Sequence, residues 1–204
     1  MCTEPVAVRT QRGAKVNGSA NRKTPAMPQP PSPYDFLPAV ASFEVRSDDV
    51  AEGQMLAMPQ VSGIFGAGGE DRSPHLAWSG APQGTQSYAV TCFDPDAPTG
   101  SGFWHWVVYD IGASCTELAS GAGDAEGSGL PEGAKQLRND AGLTGYLGSA
   151  PPAGHGPHRY MFAVHALSVA TLPIDESVSP AICGFNMFGT TLARALVTPI
   201  YEQS

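Results

Sequence analysis

The chain has 204 residues, enough for one domain with a substantial core and too few for two of ordinary size. Its formal net charge of −8 is unevenly placed: residues 1–34 carry five Lys or Arg and one Glu, net +4, and residues 35–204 carry six and eighteen, net −12. An acidic body repels nucleic acid and anionic membrane surfaces at long range, which excludes both as default partners.

The first segment, residues 1–33, combines its basic charge with prolines and little apolar content, and is expected to be a flexible tail. Residues 34–204 are expected to form a single domain. No apolar leader-like run opens the chain and no run is long enough to span a bilayer, so integral membrane association is not expected and the cytoplasm is the expected location. Cys2, Cys92, Cys115 and Cys183 show no CxxC spacing and read as free thiols of a reducing compartment. With 24 glycines and 19 prolines, about a fifth of the chain is turn-forming, and several short strand-like runs lie between these turns. This favours a mainly β, largely antiparallel fold.

The tract Tyr88–Ile111, YAVTCFDPDAPTGSGFWHWVVYDI, holds the first two strong strands, Tyr88–Phe93 and Trp104–Ile111. The loop between them carries Asp94, Asp96, two prolines and two glycines. Pro95 and Pro98 bias the residues before them away from helix, and Asp94 and Asp96, if extended there, would present both carboxylates to one side. Strand alternation predicts that Trp104 and Trp106 share one face and that His105 points to the other. Residues 146–165, YLGSAPPAGHGPHRYMFAVH, repeat the arrangement: a Gly/Pro loop leads into a strand from about Arg159. His158 and Tyr160 sit two apart and share a face, while His155 lies in the loop. Rigid strands with such loops at their mouths are where binding groups collect. His75 and His165 read as structural. Near the end, Phe188, Leu192, Ala195 and Leu196 fall at helical spacing before Pro199, which predicts a helix there.

No HExxH, P-loop, Rossmann or GxSxG signature is present, and the glycine-rich stretch 121–127 lacks the spacing and the Lys-Ser/Thr of a phosphate loop. No cofactor and no metal are expected. The alternative reading is a metal-dependent hydrolase or phosphotransfer enzyme using Asp94, Asp96, His105 and His158, types that make oxygen/nitrogen metal sites.

Asp94-Pro95-Asp96-Ala97-Pro98, Trp104-His105-Trp106 and Gly156-Pro157-His158-Arg159-Tyr160 resemble the signature segments of the phosphatidylethanolamine-binding protein family, in particular its bacterial, Raf kinase inhibitor-like branch. Ser73–Trp78, Tyr146–Pro152 and Gly184–Phe188 add to the likeness, which runs from about Tyr34 to Gln203. The resemblance implies an antiparallel β-sandwich with a few peripheral helices, one of them C-terminal. It also implies a small non-catalytic pocket for phosphate-like groups, including phospholipid head groups. By it Asp94, His105, His158 and Tyr160 fall on pocket positions, Gly148 and Ala150 on the loop that closes the pocket, and Pro98 on a proline preceded by a cis peptide. Asp96 completes the candidate ligand set. Ala150 stands where many members have glycine, and the loop from Pro98 to Trp104 is short beside the animal members, so no pocket aromatic is assigned from it. The resemblance further implies a homodimer and a regulatory or inhibitory role toward another protein.

The chemistry of these residues suits a zwitterion. Imidazolium and phenol donate to phosphate oxygens, whereas a carboxylate beside phosphate is repulsive unless it orients a histidine or meets a ligand amine. Phosphoethanolamine carries both charges.

Overall fold

The computed structural model describes residues 29–203. The expected tail thus lies outside the described residues as far as position 28. Beyond it the chain lies on the body: the Pro30 carbonyl accepts from Arg159 Nη2 at 2.6 Å.

The fold is mainly β, as expected, in three open sheets. The largest is built around Ser87–Asp94 (β4), Phe103–Gly112 (β5) and Met161–Leu167 (β9), joined by Thr191–Val197 (β10). Ala41–Ser42 (β1) closes one edge and Lys135–Gln136 (β7) the other, in the order β1-β10-β9-β4-β5-β7. Every pairing is antiparallel except that of β1 with β10. A second sheet of three strands, Glu44–Arg46 (β2), Leu76–Ser79 (β3) and Glu117–Leu118 (β6), runs in the order β2-β3-β6. His158–Arg159 (β8) pairs with Ile200–Tyr201 (β11). Short 3-10 turns occupy Pro33–Phe36 and Met58–Gln60, and one α-helix, Pro180–Met187 (α1), is found among the described residues.

Both faces of the large sheet are buried, which is why β4 and β9 read as mostly apolar runs rather than alternating ones. One face meets the second sheet: Tyr88, Val90 and Cys92 of β4 and Trp106 and Val108 of β5 pack with Leu76, Trp78 and Leu118. The other face meets α1: Ala89, Val107, Tyr109 and Leu167 pack with Leu172, Cys183 and Met187.

β5 departs from regular alternation twice. Opposite Tyr88 and Val90 an extra residue enters near Asp110, whose φ is +58°. Its carboxylate accepts from the Leu172 backbone at 2.8 Å and so anchors the chain that follows β9. Opposite Cys92 and Phe93 the extra residue is His105, because Cys92 pairs with Trp106 and Phe93 with Trp104. This bulge corrects the expectation that the two tryptophans share a face. Trp106 enters the core between the sheets, where its indole donates to Gln136 at 2.7 Å, and Trp104 packs on the helix side.

The helix predicted around Phe188–Leu196 is a second correction. Residues 191–197 form β10, in which Ala193, Ala195 and Val197 are buried at period two. The small side chains that fit a helical pattern also fit a buried strand, and the neighbours β1 and β9 decide between them. The helix lies one step earlier, where Ser179 accepts from the Ile182 N–H and Pro180 takes the first turn. Hydroxyls of Thr190 and Thr191 bond the Met187 carbonyl and close it off.

Trp106 is packed so tightly that a Cβ on Gly123 would lie 2.5 Å from its ring. Gly123→Ala is therefore expected to cost about 1–3 kcal/mol of stability by overpacking, read as a lower denaturation midpoint in urea at unchanged slope.

Candidate functional site

The C-terminal end of β4, the start of β5 and the short strand β8 meet at one end of the sandwich. There the loop after Tyr146 closes over a cavity of about 200 Å³. Of the eight candidate residues, seven line it: Asp94, Pro98, His105, Gly148, Ala150, His158 and Tyr160.

Asp96 does not. Asp94 Oδ1 accepts from the Asp96 N–H at 2.7 Å, a turn closed by the side chain, and this sends the two carboxylates apart rather than to one side. Asp94 faces the cavity, while Asp96 is gripped by Arg159. Arg159 Nη2 and Nε donate to its two oxygens at 2.8 and 2.9 Å, and the Arg159 backbone N–H adds a third bond at 2.9 Å. Burial alone would raise the Asp96 carboxyl, but these bonds outweigh it and hold the group below its ordinary value.

The Ala97–Pro98 bond is trans, since the described residues contain no cis peptide, which corrects the expectation of a cis proline. The turn closes without one. The Thr99 N–H bonds the Ala97 carbonyl across Pro98 at 2.7 Å, and the Thr99 hydroxyl bonds the Gly102 carbonyl. Gly102, at φ +68°, then lets the chain enter β5.

Three histidines stand here in different states of engagement. His158, 2% exposed, is hydrogen-bonded at both nitrogens: Nδ1 to Asp94 Oδ2 at 2.8 Å and Nε2 to His155 Nδ1 at 2.7 Å. Asp94, 3% exposed, thereby has this oxygen occupied at 2.8 Å. His105 Nδ1 donates to the Leu147 carbonyl at 2.8 Å, which leaves Nε2 as its free nitrogen. Burial pushes the His105 pKa below 6.5, although the Leu147 carbonyl and Asp94 pull the other way. The ring is thus neutral near pH 7 and offers a lone pair at Nε2. Tyr160 stands edge-on to His105 with ring centroids 5.1 Å apart, and burial raises its phenol so that it remains a donor.

The closing loop is held by its backbone. Gly148 N–H donates to Asp71 Oδ1 at 2.8 Å, the Ser62 N–H donates to the Ser149 carbonyl, and a Cβ on Gly148 would sit 2.3 Å from the Val61 carbonyl carbon. A glycine is required there by close approach.

A family model described as phosphatidylethanolamine-binding protein matches residues 46–202. The chain belongs to the phosphatidylethanolamine-binding protein family. It is 46% identical over 167 residues to the UPF0098 protein YbcL of Escherichia coli (strain K12), covering 82% of this chain and 91% of that protein. It is 47% identical over 163 residues to YbhB of the same organism, covering 78% and 100%. The crystal structure of E. coli YbcL, described as a new member of the mammalian PEBP family, superposes with a TM-score of 0.78, covering 80% of this chain and all of that one. The homolog CT736 from Chlamydia trachomatis, 28% identical, superposes with a TM-score of 0.65 over 80% of this chain and 99% of its own. Ligand binding is the general property of phosphatidylethanolamine-binding proteins, and no helix among the described residues is long and apolar enough to cross a membrane.

Sequence reasoning missed Phe65, Phe103 and His155. Phe103 lies 4.8 Å from the His105 ring, and its position two residues before the histidine on one strand was a usable signal. Phe65 enters from a glycine-rich loop distant in sequence, with no local mark of its role. No cluster of three or more His, Cys, Asp or Glu among the described residues is arranged to hold a metal ion; Asp96 is turned to Arg159, and His158 is engaged at both nitrogens.

Asp96→Asn should lower stability near neutral pH by about 1.5–3 kcal/mol, the range for hydrogen bonds to a charged group. Because the folded carboxyl lies below its ordinary 3.8, its contribution is complete above that value and is lost as pH falls through the folded pKa. Urea titrations of the two proteins from pH 7 to pH 2.5 should therefore converge at the acid end.

Proposed function

We propose that the cavity at the ends of β4, β5 and β8 binds small phosphate-bearing molecules of the phospholipid head-group type, without catalysing their conversion. The observation that carries this reading is a free imidazole nitrogen in the cavity wall, His105 Nε2, beside the Tyr160 phenol, with the Asp94 carboxylate of the same wall hydrogen-bonded to His158. In this reading two donors meet the phosphate, and Asp94 orients His158 or receives a ligand amine. A non-catalytic role is supported by the state of the aliphatic hydroxyl in the cavity wall: Thr99 lines the cavity but donates to the Gly102 carbonyl. No activated nucleophile stands beside a free base among the described residues.

Neutral His105 presents an acceptor, so an oxyanion binds well only when Nε2 takes a proton. Binding raises the His105 pKa above the depressed value of the free protein. Affinity should be greatest below the free value, under 6.5, and should fall as pH rises through the bound value. Calorimetric titration with phosphoethanolamine between pH 5 and pH 8.5 is expected to show this decline, and His105→Ala should remove it, leaving only the dependence set by the ligand's own phosphate, whose second pKa is about 6. The same variant should lose about 1.5–3 kcal/mol of binding at low pH, and Tyr160→Phe a smaller part. His158→Ala tests a different property: it strands the buried Asp94 carboxylate and should reduce stability as well as binding. Unchanged affinity and pH profile in His105→Ala would place the ligand elsewhere and would favour a regulator of another protein.

A further inference from the structure

A second cavity, of about 70 Å³, lies on the opposite side of the large sheet, between the sheet, the 3-10 turn at Pro33–Phe36 and α1. Its walls are apolar, from Val40, Trp104, Met187 and Phe188, and its polar end is formed by Tyr34, His165 and Arg194.

Arg194 is half-buried on β10, directly opposite His165 of β9 in the strand register. Its guanidinium lies over the Tyr34 ring at 4.8 Å and forms no ion pair among the described residues. No Asp or Glu lines the cavity. An unpaired cation against apolar walls is costly, and desolvation correspondingly lowers the Arg194 pKa.

The neighbouring hydrogen bonds run in one direction. Arg194 Nε donates to His165 Nδ1 at 3.4 Å, so the His165 proton sits on Nε2 and is given to Thr91 Oγ1 at 3.3 Å. Thr91 can then donate to the Tyr34 hydroxyl at 3.3 Å, which leaves the phenol proton available to a ligand. His165 remains neutral, since burial and Arg194 push its pKa down to about 3. The polar end therefore offers donors: the remaining guanidinium N–H groups and the Tyr34 O–H. Two of the lining residues, Leu37 and Phe188, are themselves exposed by 40% and 61% and form an apolar rim.

We propose that this cavity is a second ligand site, for a small amphiphilic carboxylic acid whose carboxylate is received by Arg194 and Tyr34 and whose apolar body lies on Trp104, Met187 and Phe188. A carboxylate matches the planar guanidinium fork, supplies the missing counter-charge and accepts from the phenol. The cavity is too small to enclose a long chain, so only the head and the first carbons are enclosed and the remainder lies along the exposed rim.

The test is titration of the full chain with octanoate and, separately, with 1-octanol, followed by calorimetry and by ¹H–¹⁵N spectra. Octanoate should bind at least about tenfold more tightly than octanol, the effect of one charge-assisted hydrogen bond, with the largest shifts at Tyr34, Trp104, Phe188 and Arg194. Arg194→Gln should remove that preference while leaving phosphoethanolamine binding at the His105 cavity unchanged. Tyr34→Phe provides the same test if Arg194→Gln does not fold and should reduce the preference for octanoate by a few-fold, whereas the rim variant Phe188→Ala should weaken octanoate and octanol alike. Equal binding of acid and alcohol, octanoate shifts confined to the His105 cavity, or full affinity in folded Arg194→Gln would overturn the proposal.

Discussion

A carboxyl group buried to 3% exposure is costly unless its oxygens are hydrogen-bonded, and Asp94 meets this condition in a way that assembles the site. One oxygen closes the turn after β4 by accepting from Asp96, and the other holds the ring of His158 from a strand 64 residues away. Two positions on, Asp96 repeats the connection through Arg159. Adjacent acid–base pairs thus join one loop to one strand, the inner facing the cavity and the outer facing the surface. The inner pair also fixes His158 so that a neighbouring imidazole, His155, completes its bonding. Such a pair orients groups more than it stabilises the fold, because desolvation consumes much of the Coulombic gain.

The bulge at His105 has a comparable reach. Without the extra residue, strand alternation would place Trp104 and Trp106 in one core. With it, Trp106 fills the space between the sheets, Trp104 walls the cavity under α1, and His105 turns into the cavity at the sheet end. Three consecutive side chains serve three environments, and neighbouring residues of one strand line the two cavities.

What was legible in the sequence follows from this. The β class, the two long strands around the DPDAP loop and the convergence of Asp94, His105, His158 and Tyr160 could be read from side-chain type and spacing together with family resemblance. Properties set by partners distant in sequence could not. Nothing near Asp96 announces that Arg159 will take its carboxylate, and nothing in Trp-His-Trp announces a bulge, which arises from register against Cys92 and Phe93. The trans proline was hidden because Asp94 and Thr99 close the turn by side-chain and local backbone bonds. The last helix lies earlier than its spacing predicts because a buried strand of small residues satisfies helical spacing too, whereas Ser179-Pro180 marks the actual start.

The strand order bears on how the protein behaves among its own copies. The three longest-paired strands, β5, β4 and β9, are all interior, and both borders of their sheet are strands of two residues. Few backbone groups are left along those borders to template another chain, and Lys135 places a cation on one of them. A sheet with an almost wholly apolar centre thus turns only short strands to its borders, an arrangement that disfavours edge-to-edge growth.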